Sequence, residues 1–257
     1  MCPCIRSHQV SYQRPQHNVI VEALHLMDAE LLNRAKCYFG GGTAIVLKNG
    51  EYRLSLDVDF LCADADGYRE LRNAVYRPDG IRAIFGEGIE TVRPIMADQY
   101  GIRAIVALHG QPIKFEIVRE ARITLDGGID PELGVPLLST TSQFAEKLLA
   151  NADRGLDRAV AYRDAIDLGK LVTATGVIPQ EAKLSAEKAY GGIITRSLQQ
   201  VLERLANPAE AAKAAAVLQM ETGDFNLAAR ALSEAAVASW PTVDFPELPP
   251  IGNTCSP

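Results

Sequence analysis

Phe39-Gly40-Gly41-Gly42-Thr43-Ala44, followed by Arg53-Leu54-Ser55-Leu56-Asp57-Val58-Asp59-Phe60, is the stretch on which the reading of this chain turns. Cys37-Tyr38-Phe39 is a short apolar strand candidate that runs straight into three glycines. Thr43 to Lys48 starts a helix, and Asn49-Gly50 is a strong turn signal. Arg53 to Leu61 then alternates: Leu54, Leu56, Val58 and Phe60 point one way, and Ser55, Asp57 and Asp59 the other. The pattern predicts a strand with one face on a core and a pair of carboxylates on the opposite face.

Outward from this stretch, Pro15 to Ala35 reads as one amphipathic helix, with Ile20, Leu24, Met27, Leu31 and Ala35 at helical spacing. Asp66 to Tyr76 reads as another, ending before Pro78. Residues 102–108 and 112–118 are strands joined at His109-Gly110-Gln111, with Ile113, Phe115 and Ile117 inward and Lys114 and Glu116 outward. Beyond about Thr140 strand signals stop. Alanine-rich helical segments follow at 141–153, 158–173, 186–206, 209–219 and 226–239, and Thr140 with Gln143 suits a capping box for the first. The expected fold class is α+β: a mixed sheet flanked by helices over residues 1–136, then an all-helical part over 137–257 that ends in a loose Pro-rich tail from Pro241.

Nucleotide transfer explains why such residues would be gathered. A triphosphate brings four negative charges, and Mg²⁺ is the hard, oxygen-seeking ion that offsets them. Carboxylates at i and i+2 of a strand, as Asp57 and Asp59 are, project from one face and can share a metal. A glycine turn lets backbone N–H groups approach phosphate, so Gly41 and Gly42 suit a phosphate cradle, with a hydroxyl from Thr43 or Ser55. Glu116, on the polar face of a later strand, is the candidate third metal ligand or base. Each feature alone has a plainer explanation: a solvated strand face, a tight turn, a surface glutamate. Their order and spacing favour the chemistry.

These residues resemble the AbiEii/AbiGii nucleotidyltransferase toxin family of the DNA polymerase β-like nucleotidyltransferase superfamily. Gly41-Gly42 and Asp57-Val58-Asp59-Phe60 match the superfamily pattern, and Arg53 and Ser55 match the sharper family pattern. Lys147 and the run Arg163-Asp164-Ala165-Ile166-Asp167 resemble two further family motifs. The resemblance covers about residues 18–175 and implies nucleotide binding by Arg53, Ser55 and Lys147 and site roles for Asp164 and Asp167. It also implies a nucleoside triphosphate substrate, a tRNA 3′ end as acceptor and a cognate antitoxin protein. Glu116 departs from the superfamily pattern, where aspartate is the common third acid. Independently of the family, Lys147 is a point charge suited to phosphate. Asp164 and Asp167 share a helix face with Val160 and Leu171, so they need charge compensation, for which Lys147 and Arg163 are near candidates. A structural ion pair is the alternative reading of both.

Composition sets the outer bounds. The 257 residues are 47% hydrophobic and 23% charged, an ordinary soluble balance with room for a substantial core. No apolar run suits a membrane helix and the first residues lack a signal-peptide core, so a cytoplasmic location is expected. Five scattered cysteines do not suit a disulfide framework, and the Cys2/Cys4 pair near His8 and His17 is read as accidental rather than as a zinc site. The net charge of −6 counts mildly against a large nucleic-acid acceptor and favours a small hydroxylated molecule or a protein side chain as the alternative. A non-catalytic nucleotide-binding module is a third reading, which the intact Gly-Gly-Thr and D-x-D stretches oppose.

Overall fold

The computed structural model of the protein describes residues 11–249. Cys2, Cys4, His8 and Cys255 lie outside the described residues. The first half is built on α1 (Pro15–His25), α2 (Ala29–Arg34), β1 (Cys37–Gly40), α3 (Gly41–Lys48), β2 (Val58–Cys62) and α4 (Ala65–Val75). A short α5 (Arg82–Phe85) leads to β3 (Glu90–Thr91), β4 (Met96–Ala97), β5 (Gly101–Leu108), β6 (Gln111–Arg119), β7 (Gly127–Ile129) and β8 (Pro136–Leu138). The strands form one mixed sheet in the order β3-β5-β6-β2-β1-β8-β7, with β4 also on β5. β2 runs antiparallel to β1 and parallel to β6, which puts Asp59 mid-sheet, with Asp57 just before the strand.

The predicted helix over 15–35 is two helices. Asp28 separates them, and its side chain accepts the Leu31 N–H as the N-cap of α2. The predicted strand over 53–61 is shorter, beginning only at Val58. Residues 53–57 have no ladder partner: the Leu54 N–H donates to the Leu218 carbonyl at 3.2 Å instead, and Arg53 turns into the interior. Alternation in the sequence reports which side is apolar, not whether a neighbouring strand exists to pair with.

The second half contains α6 (Thr140–Arg154), α7 (Arg163–Thr175), α8 (Gln180–Tyr190), α9 (Ile193–Leu205), α10 (Pro208–Val217) and α11 (Thr222–Ser239). Ser139, not Thr140, caps α6 by accepting the Ser142 N–H, while Gln143 donates to the Leu138 carbonyl. Ala161 and Tyr162 adopt left-handed backbone, so the helix expected over 158–173 begins in earnest at Arg163. Gly191-Gly192 divides the predicted 186–206 helix. The tail is not loose as far as 249: Trp240 and Phe245 are buried, and Ser233 and Gln199 donate to the Pro246 and Asp244 carbonyls.

Two large apolar clusters hold the molecule. One gathers α1, α2, α4 and the inner sheet face around Phe39, Phe60, Phe85 and Phe115. The other gathers α6 to α11 and takes in Ile45, Val46 and Tyr52 from the first half. Helix α3 therefore contributes to both clusters, which pins the glycine turn at its start.

Candidate active site

The turn from β1 into α3 is tight for a reason visible in its contacts. Gly41 has φ +67°, and a Cβ there would lie 2.9 Å from Asp59 Oδ2. A Cβ on Gly42 would stand 2.1 Å from Arg53 Nη2. Only bare backbone lets the turn press against the Asp59 carboxylate and the Arg53 guanidinium together.

Sheet register aligns the acidic residues. Gly40, Asp59, Glu116 and Arg103 are consecutive partners across β1, β2, β6 and β5, so their side chains share a face. Asp57 is half-exposed at the mouth, and Lys114 Nζ lies 3.9 Å from its carboxylate and 3.8 Å from that of Glu116. Burial, and then the nearby charge of Asp57, push the Asp59 carboxyl up to about 6. Arg103 Nε donates to Glu116 Oε1 at 2.8 Å. The expected three-carboxylate metal set is thus not assembled: among the described residues no three acidic, His or Cys side chains converge to hold an ion, because Glu116 is drawn towards Arg103 and Lys114. Asp57 and Asp59 nevertheless fit a hard divalent cation chemically. They are oxygen donors, close enough that the charge of Asp57 raises the protonation of Asp59, and such a cation would relieve that repulsion.

Behind the turn lies a buried ionic cluster. Asp167, fully buried, accepts from Arg53 Nε and Nη2 at 2.8 Å each, from the Tyr52 hydroxyl at 2.6 Å, and lies 2.6 Å from Lys147 Nζ. Asp164 accepts from Lys147 Nζ at 2.8 Å and from Arg154 Nε at 2.7 Å. Burial opposes the charge of both aspartates, yet the cations hold both carboxyls below the usual range. Asp164 and Asp167 are therefore engaged by neighbouring cations, the arrangement that the alternative reading of a structural ion pair describes. Their compensating cations are Lys147, Arg154 and Arg53, and not the expected Arg163. Thr43 is buried and donates its hydroxyl to Ser55 Oγ at 2.9 Å, so Ser55, not Thr43, faces the cavity.

One cavity of about 270 Å³ draws these pieces together, bounded by Gly41 and Gly42, the Asp57/Asp59 segment, Glu116, and Lys147 on α6. The profile of the family described as nucleotidyl transferase AbiEii toxin, type IV toxin–antitoxin system, matches residues 25–240. The chain belongs to this family. It is a nucleotidyltransferase. This AbiEii protein is similar to JHP933 from Helicobacter pylori, at 18% identity over 89% of this chain and 93% of that one, with a TM-score of 0.50. A putative nucleotidyltransferase from H. pylori matches at 17% identity over 91% of this chain and 100% of that one, with a TM-score of 0.48. An antigenic nucleotidyltransferase-like protein from Paracoccidioides brasiliensis matches at 16% identity over 77% and 96%, with a TM-score of 0.47. Only the first reaches a level that bears on the fold. No curated protein matches the chain in sequence.

The AbiEii cavity also holds residues that the sequence did not single out. Glu146, Asp153 and Arg154 line it from α6, on the face that carries Lys147. Burial, and then Glu120, push the Glu146 carboxyl up to about 8, and among the described residues its Oε1 has no hydrogen-bond partner. Arg122 lines the cavity while chelated by Glu120 at Nε and Nη2, and its Nη1 donates to Asp153 at 2.9 Å. The usable signal was the helical spacing of Glu146, Asp153 and Arg154 about Lys147.

Proposed function

We propose that this nucleotidyltransferase is Mg²⁺-dependent and transfers a nucleoside monophosphate from a nucleoside triphosphate to an acceptor hydroxyl. The observation that carries the reading is the single cavity in which the Gly41-Gly42 turn, the Asp57/Asp59 pair and the Lys147/Arg154 edge of the ionic cluster face one another. Asp57 and Asp59 would hold the divalent cation, with Glu116 as the third acid if Arg103 and Lys114 release it. That ion supplies charge neutralisation at the phosphate oxygens.

The chain's own groups do the rest. Backbone N–H groups at Gly41 and Gly42 and the Ser55 hydroxyl, which line the cavity, would bind phosphate oxygens. Lys147 adds positive charge at the cavity wall, while Asp167 and Asp164 fix where that ammonium points. Arg53, held by Asp167, stiffens the floor beneath Gly42. The acceptor oxygen attacks the α-phosphorus, the bond to the β-phosphate oxygen breaks, pyrophosphate leaves and the hydroxyl proton is released.

In this proposal the acceptor is a tRNA 3′ end and the setting is a toxin restrained by a cognate antitoxin in the cytoplasm, a reading that the family resemblance supports. No helix of the described residues is long and apolar enough to cross a membrane. The test is a transfer assay with each of the four labelled nucleotides against total tRNA, protein and small-molecule fractions, with and without Mg²⁺. Label should enter tRNA only with Mg²⁺ and only with Asp57 and Asp59 intact. Nucleotide binding without transfer to any fraction would leave a binding module and end this reading.

A further inference from the structure

The sheet face that carries the acids changes character within two residues. Asp59 and Glu116 are register partners, and the next partners on the same face are Leu61 and Val118. Leu61 joins Tyr38 and Leu138 in a small apolar cluster separate from the two large ones. The cluster adjoins the glycine turn, since a Cβ on Gly40 would lie 2.6 Å from both Leu61 Cδ1 and Leu138 Cδ1. Leu61, Val118 and Leu138 all line the active-site cavity, and Ala150 lines it from α6. The acidic end of the cavity therefore has an apolar shelf beside it.

Helix α6 supplies the wall next to this shelf. Gln143, 7% exposed, lines the cavity, and its Nε2 donates to the Leu138 carbonyl at 2.8 Å. That bond fixes which end of the amide is oxygen, and among the described residues nothing donates to Oε1. Glu146, one turn on, lines the same cavity, and a carboxyl keeps an acceptor oxygen in either protonation state. The donors nearby are already taken, Arg122 by Glu120, Asp153 and Tyr190, and Lys147 by Asp164 and Asp167. This wall thus offers acceptors.

A flat apolar ring with N–H groups on its edge fits such a place, and a nucleobase is one. We infer that the base of the bound nucleotide lies on the Leu61–Val118 shelf and that Gln143 selects bases with an exocyclic amine, cytosine over uracil and adenine over hypoxanthine. The amine of cytosine or adenine donates to Gln143 Oε1. The carbonyl that replaces it in uracil or hypoxanthine sets oxygen against oxygen and leaves both unpaired. This rests on the nucleotide-binding part of the transfer reading and adds which nucleotides are taken.

Calorimetry of the full chain with Mg²⁺ and CTP, UTP, ATP or ITP tests the selection. CTP should bind about tenfold or more tightly than UTP, and ATP than ITP. Gln143→Met should abolish both preferences. Val118→Trp fills the shelf from β6 and should weaken all four nucleotides about tenfold or more. Both variants should bind Mg²⁺-tripolyphosphate, which has no base, as the unmodified protein does, and this also reports that they are folded. Equal affinity within both nucleotide pairs in the unmodified protein would overturn the selection, and preferences that survive Gln143→Met would remove Gln143 from it. Unchanged nucleotide affinity in Val118→Trp would show that the base does not lie on the shelf. Selective binding with no label passed to RNA, protein or small molecules would end the transfer reading and leave this one standing.

Discussion

Asp59 is tightly held in the cavity, pressed against Gly41, in register with Glu116 and two residues from Asp57. Replacing Asp57 and Asp59 together by alanine should reduce transfer by about a thousandfold or more, since charge stabilisation of this kind is worth several kcal/mol. The double variant should melt no lower than the unmodified protein, because mutual repulsion is removed; growth arrest on expression should vanish with it. Full toxicity of the double variant would exclude catalysis by this pair. Glu146 makes a prediction about stability. Its carboxyl titrates near 8 in the fold against 4.5 when unfolded, so the native state keeps a proton that the unfolded chain gives up between those values. The stabilisation is present at and below pH 4.5 and is lost as pH rises through about 8. Glu146→Gln should flatten that slope and stabilise the protein by about 1–3 kcal/mol at pH 8, with little effect at pH 4.5, as read by urea unfolding.

Among elements, the β1–α3 turn and the start of β2 work as one unit through Arg53. Gly42→Ala would drive a methyl group into the Arg53 guanidinium, and the expected cost is about 1–3 kcal/mol together with loss of nucleotide affinity. Arg53→Ala should cost more, about 3–5 kcal/mol, because it leaves Asp167 buried with Lys147 as its sole remaining cation. Pairing Arg53→Met with Asp167→Leu removes both charges and should recover part of that loss. A double-mutant cycle by chemical denaturation measures it; strict additivity of the two losses would show that the buried pair is not coupled.

At the scale of the whole molecule, α6 and α7 from the second half close the cavity that the sheet opens, so nucleotide binding should tie the halves together. A nucleotide with Mg²⁺ present at 100 times its dissociation constant adds about 2.7 kcal/mol to stability. For a protein of this size that is a rise of about 5–10 °C in Tm. The rise should fail in the Asp57/Asp59 double variant and without Mg²⁺; an equal rise without the metal would remove the cation from the binding account. Much of this architecture was legible in advance. The Gly-rich turn, the D-x-D spacing, the β5–β6 hairpin and the helical second half all follow from local periodicity and turn chemistry. The docking of residues 241–249 was not, because its partners on α9 and α11 are distant in sequence; the break at Asp28 rests on a local cap that continuous helical spacing masks, and apolar periodicity does not report the left-handed pair at 161–162.

What the sequence by itself determined was the local geometry and the family: carboxylates two residues apart at the start of a strand, a glycine turn before them, and motifs in a diagnostic order. Tertiary structure alone decided how charges are apportioned. It assigned Asp164 and Asp167 to a buried ionic cluster, turned Thr43 inward onto Ser55 and drew Glu116 towards Arg103. The reason is physical: the worth of a charge depends on its burial and on neighbours brought from far along the chain, and neither can be read from spacing.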